Sequence, residues 1–129
     1  MKIFGIGVDI VENNRFKKLI KKKNFINRIF SQKELNIFKN KKNKILYLSK
    51  RFSAKEAFVK ALGSGFRNKL CFNDISILND KRGKPYFVFN QKIKDILKNK
   101  HKLIKFKAHL SLSDEKKYSI SYVILQKIK

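Results

Sequence analysis

Lys44-Ile-Leu-Tyr-Leu-Ser-Lys-Arg51-Phe-Ser-Ala-Lys55-Glu56-Ala-Phe-Val-Lys60-Ala-Leu62-Gly63 is the stretch that decides the fold. Ile45, Leu48, Phe52 and Val59 recur at helical spacing, with Leu46, Ala57, Ala61 and Leu62 close by, and no proline interrupts them. Gly63-Ser64-Gly65 supplies a stop, because the residue just past a helix favours the left-handed conformation that glycine adopts at little cost. The spacing predicts the longest helix of the chain over 44–62. Phe52, Glu56, Val59 and Gly63 would be neighbours along one stripe of it. A carboxylate on a partly apolar stripe must be paired, protonated or bound to a cation.

Outward from this helix the period changes. Residues 2–10 read as a first, mostly apolar strand ending at Asp9, and residues 12–23 as a helix carrying Val11, Phe16, Leu19 and Ile20 on one side. One or two short helices fit 24–43, where Ser31 followed by Glu34 is a capping-box pattern. Beyond Gly65 the stretches 72–78, 86–89, 107–113 and 118–125 read as strands, and 91–100 as a helix. Asp80 to Pro85 forms a turn between the first two of these strands. Asp114 to Lys117 forms a turn within a hairpin of the last two. The fold class is α+β, one domain over 1–129, with a small, mostly antiparallel sheet packed on one long helix.

Composition narrows the function classes. A chain of 129 residues with 43% hydrophobic content builds a real core. No apolar run approaches the roughly 20 residues of a membrane span. The N-terminus reaches Asp9 too soon for the apolar region of a signal peptide. Cys71 is the only cysteine, which excludes an internal disulfide, and a cytoplasmic protein is the expectation. The net charge is +24, from 33 Lys and Arg against nine Asp and Glu. Charge of that size invites a nucleic-acid reading. The cations, however, are 28 Lys and only 5 Arg, and they are spread over the whole chain. Most phenylalanines fall where a core is expected rather than interleaved with basic residues on an open sheet. No specific nucleic-acid partner is expected.

Two acids stand out because acids are scarce. Asp9 lies within Gly5-Ile-Gly7-Val-Asp9-Ile-Val-Glu12, and Glu56 sits between Lys55 and Lys60 on the long helix. Asp9 has two readings, a cap for a helix starting near Glu12 or a metal ligand. Glu56 and Lys60, at i and i+4, read either as a surface pair or as part of a site. Two carboxylates among cations suit a magnesium ion with a phosphate-bearing substrate, since magnesium takes one or two protein carboxylates and completes its shell with water and phosphate oxygens. Gly5-x-Gly7 is no dinucleotide fingerprint, because the third glycine position holds Ile10. His109 shares a strand face with Ser111 and Ser113 and reads as a hydrogen-bonded structural group or as a base or phosphate contact. His101, in a lysine-rich stretch, reads as exposed. No zinc spacing, Walker loop or nucleophile elbow is present.

The segment from Gly5 to Glu12, the segment from Arg51 to Gly65, Gly83-Lys84-Pro85 and His109-Leu-Ser111 together resemble the holo-(acyl-carrier-protein) synthases, the short-chain 4′-phosphopantetheinyl transferases. Order, spacing and length agree end to end. The resemblance implies transfer of 4′-phosphopantetheine from coenzyme A to a serine of apo acyl carrier protein, with release of adenosine 3′,5′-bisphosphate, in support of fatty acid biosynthesis. It implies Mg2+ held by Asp9 and Glu56, phosphate contact by Lys60, and a catalytic role for Glu56, with His109 as the alternative base. Substrate contacts fall on Arg51, Gly63 and the turn Gly83, Lys84 and Pro85. Carrier-protein contacts fall on Arg15, extended by Lys18 and Lys22 if 12–23 is one helix. The family fold implies a homotrimer with sites between subunits. Many relatives carry a second histidine where this chain has Asp114, which removes that residue from any mechanism here.

Overall fold

The computed structural model describes residues 1–63 and 72–128. Ser64, Gly65 and Cys71 therefore lie outside the described residues. Strand β1 spans Lys2–Glu12, helix α1 Lys23–Ile29, α2 Gln32–Phe38 and α3 Lys44–Leu62. Strands β2 (Ile75–Asn79) and β3 (Pro85–Phe89) follow, then α4 (Gln91–His101), β4 (Phe106–Asp114) and β5 (Tyr118–Lys127). The described strands form two antiparallel sheets, one of order β1-β5-β4 and a separate β2-β3 pair. The α+β class stands, with two sheets in place of the single one expected.

Helix α3 begins and ends where its sequence predicts. Asn43 caps it through its side-chain oxygen, which accepts from the Leu46 N–H at 3.0 Å, and Gly63 ends it at φ 82°. The helix is buried around most of its circumference, with Ala54, Ala57 and Phe58 wholly enclosed. Against β1 its backbone comes close enough to exclude any side chain. A Cβ on Gly5 would lie 1.9 Å from the Ala61 carbonyl oxygen, and one on Gly7 1.8 Å from that of Ala57. The two glycines thus serve close backbone approach, and they bring the strand that carries Asp9 against the helix that carries Glu56.

The helix expected over 12–23 does not form. Strand β1 continues to Glu12, which pairs with Tyr118, and two short 3-10 turns follow at Asn13–Phe16 and Leu19–Lys21. The Asn13 N–H donates to the Lys117 carbonyl at 2.7 Å, and its side-chain amide donates to the Glu115 carbonyl at 3.0 Å. Its oxygen accepts from Ser49 and Ser119 at 2.9 and 2.7 Å. These bonds hold the chain to the β4-β5 hairpin where an α-helix would have to start. The cations from Arg15 to Lys23 also repel one another at helical spacing. Lys22 has extended backbone, so Arg15, Lys18 and Lys22, all exposed, do not share one helix face. Mid-strand, Asp9 is not a helix cap either. The strand expected from Phe72 starts at Ile75, after a 3-10 turn over Phe72–Asp74. His101 is half-buried, at the end of α4, with Phe4 edge-on at 6.3 Å.

Candidate active site

The pleat of β1 decides which residues meet α3. Gly5, Gly7, Asp9 and Val11 turn toward the helix, while Ile6, Val8 and Ile10 point to the opposite face, 53%, 47% and 61% exposed. Asp9 is held from both ends of its residue. The Ser53 hydroxyl donates to its backbone oxygen at 3.1 Å, and Lys60 Nζ meets its Oδ1 at 3.1 Å. Lys60 Nζ also donates to the Val8 carbonyl at 3.1 Å. Lys60 thus reaches across to β1 instead of pairing along the helix with Glu56. The other carboxylate oxygen of Asp9, Oδ2, is buried without a hydrogen-bond partner.

Glu56 is half-buried beside this pair. Burial pushes its carboxyl above the ordinary carboxylate range and the charge of Asp9 pushes the same way, while Lys60 and then Arg15 pull it back. Two neighbouring carboxylates, one of them raised by burial and by the other's charge and the other with an unbonded oxygen, form a place where a cation is stabilised. Among the described residues no cluster of three or more His, Cys, Asp or Glu exists. Two protein carboxylates with water and phosphate oxygens is the donor set that magnesium accepts. The residues fit that ion.

Arg15 is brought to the same place. Its guanidinium lies 5.3 Å from the Phe52 ring centre and 5.5 Å from that of Phe16, and its charge lowers Glu56. Gly63 closes α3 one turn beyond Lys60. Arg51 turns elsewhere. It is 5% exposed and stacks on Tyr47, and burial lowers its guanidinium. Gly83 and Lys84 lie in an exposed turn closed by Asp80, whose Oδ1 accepts from the Arg82 and Lys84 N–H groups at 2.8 and 2.9 Å, and Pro85 follows half-buried at the start of β3. His109 is not with the carboxylates of its own chain. With Ser111 and Ser113 it lies exposed on the outer sheet face, where its Nε2 is 3.0 Å from Gln126 Oε1. Asp114 pairs with Lys50 at 3.1 Å.

One feature escaped the sequence reading. Lys55, wholly enclosed, donates to Glu34 Oε1 at 2.5 Å and to the Ile29 and Phe72 carbonyls at 2.5 and 2.9 Å. Glu34 also takes the Ser31 and Ile77 N–H groups, each at 3.0 Å. Burial pushes the Lys55 ammonium down to about 8, and Glu34 opposes that shift. The pair ties α1, α2, β2 and the residue just before Glu56 into one body. The capping box gave Glu34 a role but hid its second one.

The model of the 4′-phosphopantetheinyl transferase superfamily matches residues 5–123. The chain belongs to that superfamily, in its holo-[acyl-carrier-protein] synthase branch. It is 58% identical over 127 residues to the holo-[acyl-carrier-protein] synthase of Pelagibacter ubique, covering 98% of this chain and 99% of that one. The corresponding protein of Vesicomyosocius okutanii is 46% identical over 96% of this chain and 97% of its own. Among solved structures, the synthase of Neisseria meningitidis superposes with a TM-score of 0.86 at 36% identity, over 97% of this chain and 99% of that one. The Bacillus anthracis synthase, solved in complex with CoA (3′,5′-ADP), gives 0.82 at 34% identity, over 99% and 100%. The chain is thus a transferase, and the α+β fold expected from its sequence is the fold of these synthases.

Proposed function

We propose that the chain transfers 4′-phosphopantetheine from coenzyme A to a serine of apo acyl carrier protein, in the cytoplasm, in support of fatty acid biosynthesis. The observation that carries the reading is the juxtaposition of Asp9, with its unbonded Oδ2, and Glu56, with its raised carboxyl, beside Lys60. The coenzyme A bound in the Bacillus anthracis relative supports the donor. Asp9 and Glu56 would hold magnesium, which when bound neutralises charge on the diphosphate.

The chain's own residues supply the rest. The serine oxygen of the carrier forms a bond to the β-phosphorus of coenzyme A. The bond from that phosphorus to the bridging oxygen breaks, and adenosine 3′,5′-bisphosphate leaves. Glu56 accepts the serine proton through a water, which a carboxyl raised by burial does better than an ordinary one. Lys60, with a half-exposed side chain, turns from Asp9 to the phosphates and offsets their charge. Gly83, Lys84 and Pro85 border the adenine nucleotide, and Arg15, Lys18 and Lys22 face the acidic carrier.

The active form is a homotrimer in this reading. The outer sheet face supports it, because Ile6, Val8, Ile10, Ile120 and Tyr122 leave an apolar patch exposed. His109 stands on that face, so a neighbouring subunit gives it a place near a site that its own chain does not. Among the described residues no helix is long and apolar enough to cross a membrane. Incubation with coenzyme A, magnesium and apo carrier protein, followed by intact mass of the carrier, tests the reaction. Wild type should add one phosphopantetheine per carrier, and Asp9→Asn and Glu56→Gln should add almost none while staying folded. An unmodified carrier with wild type, or full transfer by either variant at modest magnesium, refutes it. Sedimentation as a stable, fully active monomer refutes the trimer.

A further inference from the structure

Arg51 stands on α3 five positions before Glu56, with its guanidinium 4.0 Å from the centre of the Tyr47 ring. Tyr47 is itself fixed, its hydroxyl donating to the Glu34 carbonyl at 3.4 Å. From that stack Arg51 Nη2 donates to Asn79 Oδ1 at 2.7 Å. Asn79 is the last residue of β2 and turns the other end of its amide outward. Its Nδ2 donates to the Gly83 carbonyl at 2.9 Å. Gly83 sits at φ 85°, in the turn that Asp80 closes from within. A side-chain amide is short and carries an acceptor and donors at one planar tip. Asn79 uses both kinds, one toward a buried cation on the helix and one toward the turn.

We infer that Asn79 is a positioning residue that sets the Gly83–Pro85 turn in register with the helix carrying Glu56 and Lys60. The consequence rests on the proposed reaction: the turn that borders the adenine nucleotide is held in one position on its own subunit. Arg51 serves this link from inside the fold, which accounts for a motif arginine that is 5% exposed. The residue type matters. Aspartate at 79 keeps the acceptor for Arg51 but has no donor for Gly83, and alanine has neither.

The test compares Asn79→Asp and Asn79→Ala with wild type, using adenosine 3′,5′-bisphosphate binding by calorimetry, steady-state transfer, and competition by magnesium pyrophosphate. Losing a hydrogen bond on this path should weaken bisphosphate affinity and raise the KM for coenzyme A by about tenfold in both variants. The KM for carrier protein and the pyrophosphate inhibition constant should stay at wild-type values, because neither ligand needs the turn. A folded variant with unchanged bisphosphate affinity and KM for coenzyme A overturns the inference. So does an equal loss for bisphosphate, pyrophosphate and carrier, which a general structural defect would give. If Asn79→Ala does not fold, Asn79→Asp decides, since it retains the Arg51 contact. A wild type that binds bisphosphate but modifies no carrier would defeat the proposed reaction, and the calorimetric comparison would still decide the role of Asn79.

Discussion

Gly7→Ala should disable the site without touching any group in it. An added Cβ would lie 1.8 Å from the Ala57 carbonyl oxygen and 2.8 Å from the Ala61 nitrogen. Ordinary contact begins at 3.4 Å, so strand and helix must part by about 1.6 Å (3.4 less 1.8). Overpacking of this kind costs about 1–3 kcal/mol, which a domain of ordinary stability survives. The displacement falls between Asp9 on β1 and Glu56 and Lys60 on α3. A misplacement of about 1 Å at reacting groups costs on the order of 100-fold, so kcat/KM should fall by at least that factor. The Lys60 bonds to Val8 and Asp9, both 3.1 Å, span the same gap and should be lost with it. Far-UV circular dichroism and a thermal melt would show the fold intact while carrier modification collapses. Ala57→Gly should not rescue activity, because the obstructing atoms are backbone. Wild-type kcat/KM together with an unchanged Tm in Gly7→Ala would refute the packing argument.

Three further outcomes follow from other parts of the molecule. Breaking the enclosed pair by Glu34→Leu or Lys55→Met should each cost about 3–5 kcal/mol in urea denaturation, and the double variant well under their sum; additive losses would contradict the coupling. Glu56 has a folded value above its unfolded one, so its contribution to stability is complete below the unfolded value and is lost as pH rises through the folded value. Glu56→Gln should therefore gain stability relative to wild type as pH rises from the unfolded value through the folded one and no further beyond it, and in Asp9→Asn the Glu56 carboxyl should titrate lower by NMR; an unmoved titration would show that Asp9 is not its neighbour. Because Arg15 lowers Glu56, the cleaner probe of carrier recognition is Lys18→Glu with Lys22→Glu, which should raise the KM for carrier several-fold at low salt and less at high salt, leaving that for coenzyme A alone. Equal effects on both substrates would count against a carrier-facing surface.

Helix α3 was legible because its apolar spacing and terminal glycine agree on one element, and the cap that Asn43 supplies at its start adds a signal the spacing did not need. The stretch 12–23 misled because its apolar spacing is helical while its backbone partners lie about a hundred positions away, at Glu115 to Lys117. No local pattern reports a strand that continues through Glu12. At the site, Asp9 and Glu56 were legible as scarce acids in a basic chain, and the structure brings them together. The partner of Lys60 was not legible. An i, i+4 relation to Glu56 and a contact across to β1 look alike in sequence, and only the glycine-permitted closeness of strand and helix selects the second. Lys55 was hidden for a similar reason. A lysine in a lysine-rich chain reads as surface, and its burial depends on three acceptors from distant segments.

That a chain of net charge +24 raises a carboxyl at all says where its electrostatics are decided. Exposed lysines spread over the surface are screened within about 8 Å at physiological ionic strength, so most of them do not reach Glu56. Those that do, Lys60 and Arg15, are outweighed by burial and by Asp9. Burial and Asp9 thus outweigh both cations at Glu56, and Oδ2 of Asp9 stays unbonded beside it. Under the proposed reaction the two scales have separate tasks. The surface field draws an acidic carrier and an anionic donor toward the protein at long range, whereas the two carboxylates offer the point of contact for a small cation that arrives with the diphosphate. Under that reaction a further lysine substituted beside Lys60 would compete with the small cation for Asp9 Oδ2 and Glu56, so transfer should fall even as the net charge rises.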